Sequence, residues 1–138
     1  MRIVVYASVA IKWFIPEIHD TTARRLLSQY YERIAPELVL TEAAHVFTKR
    51  HRRDEMTAET ARVSLQTLSE LVSISETASL ASIALDLALT HQRSAYDALY
   101  AALALREGCQ LVTADRRLYD ALHAPFPGMM LWIEDLAP

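Results

Sequence analysis

The two stretches Ile3-Val4-Val5-Tyr6 and Leu111-Val112-Thr113-Ala114-Asp115 decide how this chain folds. Each opens as a short apolar run rich in β-branched residues, with no polar alternation, the mark of a strand buried on both faces. Strands are therefore expected at Ile3 to Val5 and Gln110 to Thr113, with others at Val72 to Ile74 and Met129 to Trp132. Helical patterns fill the intervals. A short helix falls within Ala7 to Phe14, closed by Pro16. Asp20 can cap a helix running to about Arg33, and Pro36 breaks that region. Further helices are expected at Leu38 to Arg53, Thr57 to Leu71, Thr77 to His91, Ser94 to Glu107 and Asp115 to Leu122. Gly108 suits the left-handed position that ends the helix before it. Short apolar strands alternating with amphipathic helices predict an α/β fold, its parallel sheet covered on both sides. Ligands of such sheets bind outside the carboxyl ends of the strands. Tyr6 and Asp115 stand there.

Composition narrows the class further. The 138 residues form one domain, residues 1–138, long enough to hide roughly two-thirds of the unfolded surface in a single core. Half of them are apolar, so the core needs neither a metal nor disulfides to fold. Cys109 is alone, which excludes a disulfide framework and makes a reducing cytoplasm the expected home. The longest strictly apolar run, Ala98 to Leu105, is far too short to cross a bilayer. Lys12 ends the opening apolar stretch too early for a secretory signal. Only two glycines occur, which excludes a phosphate-binding loop and a dinucleotide fingerprint. A net charge of −3 gives no global attraction to nucleic acid, so any RNA contact must use a local basic patch. The run Lys49, Arg50, His51, Arg52, Arg53 is one, although cations at a helix end also suit the helix dipole.

Three acids could carry chemistry, and each has a plain structural reading beside it. Asp97 lies in Ser94-Ala-Tyr-Asp97-Ala-Leu-Tyr, on a helix apolar nearly all round; Ser94 with an acid three residues later is also a capping box. Glu42 shares a helical stripe with Lys49 and Arg53 at the edge of an apolar face, or belongs to an ordinary solvated stripe. Asp115 is either a helix cap or a ligand at a strand's carboxyl end. Carboxylates gathered within about 4 Å repel by roughly 4 kcal/mol per pair at an effective dielectric near 20. A shared cation or retained protons must offset that. Oxygen ligands without a His or Cys pair select Mg²⁺ or Mn²⁺, ions that activate water for phosphodiester cleavage.

The segments Ile3-Val-Val-Tyr-Ala-Ser8-Val-Ala-Ile-Lys-Trp13-Phe, Ala35-Pro36 with Glu42, Ser94-Ala-Tyr-Asp97-Ala-Leu-Tyr and Leu111-Val-Thr113-Ala-Asp115-Arg-Arg-Leu, taken in order, resemble the PIN-domain family. Within it they look most like VapC-type toxins of toxin–antitoxin pairs. The resemblance implies a three-layer α/β/α sandwich around a central parallel sheet. It also implies a Mg²⁺- or Mn²⁺-dependent endoribonuclease acting on structured RNA such as transfer or ribosomal RNA. A cognate antitoxin as inhibitor and a homodimer complete the expectation. Glu42, Asp97 and Asp115 match the family's metal-site acids, and Ser8 and Thr113 match hydroxyl positions that orient them. Lys49, Arg50, Arg53 and Arg116 are the expected contacts to RNA or partner.

One position departs from the pattern. The family places an aspartate where this chain has Tyr6. A phenol is neutral at pH 7, is a poor Mg²⁺ ligand and takes the room an ion needs. Weak metal binding and a large loss of activity follow, with the fold retained. Asp and Tyr codons differ by one base, so a single disabling change is one reading. A nuclease kept only to bind antitoxin or RNA is the other. A phospho-acceptor signalling domain would need an acidic pair after the first strand and a lysine after a late one, and has neither. Trp13 and Trp132 are expected in the core or an interface. His45, His51 and His91 lack metal-ligand spacing and are expected at the surface.

Overall fold

The computed structural model describes residues 1–138 and places a five-stranded, wholly parallel sheet at the centre, in the order β3-β2-β1-β4-β5. Strand β1 (Arg2–Val5) leads through α1 (Ala7–Ala10) and α2 (Asp20–Arg24) to β2 (Glu32–Pro36). Helices α3 (Leu38–Arg52) and α4 (Ala58–Leu71) connect to β3 (Ser73–Ser75). The chain returns through α5 (Ala81–His91) and α6 (Ala95–Glu107) to β4 (Gln110–Thr113), then through α7 (Arg116–His123) to β5 (Met130–Trp132). Parallel crossovers are right-handed, so α1 to α4 cover one face and α5 to α7 the other. This is the expected three-layer sandwich.

Burial explains why these segments pair. Ile3, Val4, Val5, Leu111, Val112 and Thr113 are fully buried, as strands covered on both faces require. Helix α6 lies against β1, β2 and β4, and its residues Ala98 to Ala104 are all buried. Small alanines let it approach the sheet closely, while Tyr100 and Leu103 fill the remaining space. Gly108 ends it at φ +62°, as the sequence suggested.

The helix expected from Asp20 to Arg33 is a correction. Helix α2 stops at Arg24, a single 3₁₀ turn follows at Arg25–Leu27, and Glu32–Pro36 is an internal strand between β1 and β3. Asp20 is not the cap but the first helical residue; His19, at φ +67°, precedes it. The charged residues Glu32 and Arg33 hide the strand in the sequence. Arg33 ties the segment before β2 to the end of α4. Its guanidinium donates to the carbonyls of Leu71, Leu26, Ser28 and Tyr31 at 2.7–3.2 Å. Pro36 is tolerated because it ends the strand, and the next amide, Glu37, takes up the bond to Ser75.

Removing this tie has a measurable cost. Arg33→Ala leaves four carbonyls at the end of α4 and around the 3₁₀ turn without their shared donor. Stability should fall by about 2 kcal/mol, read as a lower urea midpoint with an unchanged slope. A midpoint equal to the parent's would show that water replaces the guanidinium without loss.

Candidate active site

Strand order reverses at β1, where the chain goes first to β2 and later returns to β4 on the other side. Such a switch point opens a crevice at the carboxyl ends of the two strands. Tyr6 sits in it. The Tyr6 amide donates to the Val112 carbonyl at 3.1 Å, and its own carbonyl accepts the first turn of α1 from Val9 and Ala10. Its backbone thus closes the β1–β4 pairing, and the residue is 8% exposed.

The Tyr6 hydroxyl donates to Asp97 Oδ1 at 2.6 Å. Arg93 Nη2 donates to the other oxygen, Oδ2, at 3.0 Å. Ser94 Oγ accepts from the Asp97 amide at 3.0 Å, so half of the expected capping box is made. The Asp97 carboxylate turns toward Tyr6 and Arg93. A parallel pair lies alongside: the Tyr100 hydroxyl donates to Glu42 Oε1 at 2.6 Å, and the Tyr6 and Tyr100 rings lie 4.6 Å apart. Asp115 caps α7, its Oδ1 accepting from the Arg117 and Leu118 amides at 3.0 and 3.2 Å. Thr113 Oγ1 accepts from the Asp115 amide, and Ser8 Oγ from the Ala114 amide. The two hydroxyls therefore hold the turn that presents Asp115.

The charges of these groups act on one another across the crevice. Burial pushes the Tyr6 phenol far above its ordinary pKa, helped by its bond to Asp97 and by the charges of Asp97, Glu42 and Asp115. Tyr100 is raised in the same way, by burial first and then by Glu42. The Glu42 carboxyl is raised by burial and by the charge of Asp97, against the opposing bond from Tyr100. Both phenols stay protonated and act as donors.

A hard divalent cation needs several open carboxylate oxygens in near-octahedral array. These residues do not fit one as they stand. Both Asp97 oxygens have donors, one oxygen each of Glu42 and Asp115 is engaged, and a neutral phenol stands among them. Nowhere in the chain do three or more His, Cys, Asp or Glu side chains group closely enough to share an ion.

Beside the crevice lies a cleft of about 660 Å³, lined by Tyr6, Ser8, Ile11, Glu42, Val46 and Tyr96 among others. His45 also lines it, so this exposed histidine borders the site. His51 is exposed, and His91 is half-buried beside Phe126. Trp13 is in the core, its indole N–H bonded to the Ala23 carbonyl; Trp132 is half-buried at the surface. Of the expected basic contacts, Lys49 and Arg53 are exposed near the end of α3. Arg50 is instead held by Glu55 at 2.9 Å and Glu17 at 3.5 Å. Arg116 lies over Trp132. Sequence reasoning missed Arg93 and Tyr100. Their helical spacing from Asp97, four residues before and three after, was the available signal.

The doubly wound sheet, with Tyr6 at its switch point and acids on the connections around it, defines a small α/β domain with an acidic crevice. Residues 3–122 match the PIN domain family, and the chain belongs to that family, among its VapC-type members. Ribonuclease VapC3 of Pyrobaculum aerophilum is 34% identical over 127 residues, covering 90% of this chain and 97% of that protein. Three crystal structures share the fold. PAE2754, also from Pyrobaculum aerophilum, superposes with a TM-score of 0.73 at 23% identity, over 99% of this chain and 86% of its own. VapC20 of Mycobacterium tuberculosis, a sarcin–ricin loop cleaving toxin, gives 0.64 at 24% identity, over 86% and 94%. VapBC2 of Rickettsia felis, bound to a promoter DNA fragment, gives 0.65 at 15% identity, over 96% and 98%.

The buried phenols have a consequence for alkaline stability. Both titrate above their ordinary value when folded and near 10 when unfolded. Stability they contribute is present below about pH 10 and is lost as pH rises above it, because the unfolded chain then releases protons the native chain keeps. Each retained proton lowers the unfolding free energy by about 1.4 kcal/mol per pH unit. Tyr6→Phe should remove one such proton from the slope between about pH 10 and 11.5, measured by denaturant titration. An identical slope in parent and variant would show that Tyr6 ionises freely in the folded state.

Proposed function

We propose that this chain is a VapC-type ribonuclease toxin whose cleavage step is disabled at Tyr6. The observation that carries the reading is the 2.6 Å bond from the Tyr6 hydroxyl to Asp97, at the strand end where the family pattern places an acid. Asp in that position would bring a fourth carboxylate to the rim and leave Asp97 Oδ1 without its phenolic donor. The cluster would then need a cation, and Mg²⁺ or Mn²⁺ is the ion its oxygen donors suit. With Tyr6 present, hydrogen bonds within the protein take that part, and hydrolysis lacks its activated water.

The substrate class proposed is structured RNA, such as transfer or ribosomal RNA, approached through exposed Lys49, Arg53 and Arg116. An antitoxin partner follows from the toxin–antitoxin setting of the VapC-type relatives, and the apolar cleft beside Tyr6 offers it a surface. Homodimer formation is part of the same proposal; Leu85 and Leu89, one turn apart on α5, are exposed and available to a second copy. No helix is long and apolar enough to cross a membrane.

Cleavage assays test this reading. The chain and its Tyr6→Asp variant are incubated, free of antitoxin, with total RNA and defined transfer RNAs in Mg²⁺, Mn²⁺ or EDTA. The variant should produce discrete, metal-dependent cuts at a rate about a hundredfold or more above the parent. Silence from both folded proteins would favour a module that binds antitoxin or RNA without cutting. Equal cutting by both would show that Glu42, Asp97 and Asp115 suffice.

A further inference from the structure

We propose that Arg116 and Trp132 form a stacking platform for one unpaired RNA base at the Asp115 edge of the crevice. This rests on the reading of the chain as an RNA-acting protein, and it adds how one nucleotide is gripped. The Arg116 guanidinium carbon lies 4.3 Å from the Trp132 ring centre and 5.4 Å from that of Tyr119. Tyr119 and His19 meet the indole steeply inclined, at 6.1 and 6.2 Å. The indole N–H is buried with no acceptor, so packing against these neighbours, not a hydrogen bond, fixes the ring.

Arg116 is held without being consumed. Its side chain is 58% exposed, and the only carboxylate in reach, Asp120, is 4.0 Å away. An exposed arginine ordinarily spends its rotamer freedom in water. Here the indole restrains the guanidinium and leaves its charge unspent, which reduces the ordering cost of binding. Guanidinium and aromatic planes are the surfaces on which splayed-out RNA bases stack, and the positive charge also draws the phosphate.

The location joins this platform to the crevice. Trp132 pairs in register with Thr113, whose hydroxyl holds the Asp115 amide, and Arg116 directly follows Asp115. A base stacked there lies at the carboxyl end of the sheet, beside the acidic rim. The ligand class is a base exposed in a loop or single strand. A continuous duplex hides its base faces in its own stack and offers none.

Fluorescence anisotropy in EDTA separates stacking from charge. The probes are labelled oligoadenylate of about eight nucleotides and an abasic ribose-phosphate oligomer of equal length. The parent should prefer oligoadenylate by about tenfold. Arg116→Lys keeps the charge but loses the planar group, and Trp132→Leu removes the support. Each should abolish the preference while changing affinity for the abasic oligomer by no more than about twofold. An undiminished preference in both variants would overturn the platform alone. Equal losses on both probes would also overturn it, leaving a purely electrostatic contact. No binding of either probe by the folded parent would overturn the platform and the RNA-binding reading together.

Discussion

Strand β1 is hydrogen-bonded along both edges, to β2 and to β4, yet the chain leaves it toward β2 alone. That one choice of direction makes the later return to β4 cross the sheet, and it opens the crevice above Val5 and Val112. Tyr6 and the three acids are delivered there by the connections between strands. Tyr6 follows β1, Glu42 lies in the second turn of the helix after β2, Asp97 opens α6, and Asp115 follows β4. The buried strands fix the rim, so the site inherits its geometry from the least polar part of the chain.

Gathering acids at such a rim has an electrostatic cost that must be offset within the fold. Here the offset comes from protein donors. Arg93 supplies a positive charge to Asp97, the amides at the start of α7 satisfy Asp115, and two buried phenols satisfy Asp97 and Glu42. The paired Tyr6 and Tyr100 rings also fill the space between the acids with apolar surface. A folded, self-satisfied acidic pocket results. The same satisfaction leaves few open oxygens for a hard cation, because an oxygen already holding a proton donor is a poor ligand.

Much of this was legible in the sequence, for identifiable reasons. Strands β1 and β4 announce themselves because both faces are buried and their apolar runs are unbroken. Glu42, Asp97 and Asp115 were each ambiguous by position and were marked by the family resemblance; in the fold the charges of all three act on the Tyr6 phenol. Strand β2 was missed because Glu32 and Arg33 look like a helix surface. Only tertiary contacts show Arg33 bonding carbonyls from two directions. Arg50 was expected to contact RNA or partner; its ion pairs to Glu17 and Glu55 were not legible because folding, not helical spacing, joins them. The two tyrosine bonds could not be read either. They depend on side chains from the turn after β1, from α3 and from α6 meeting in the crevice.

In the proposed reading, Tyr6 takes the part of a bound cation at this rim. The most direct measurement is a Mn²⁺ titration of the parent and of Tyr6→Asp, following free Mn²⁺ by electron paramagnetic resonance. Binding should be negligible in the parent, with one ion per chain, lost on Asp97→Asn, in the variant. One ion bound to the parent as tightly as to the variant would contradict it.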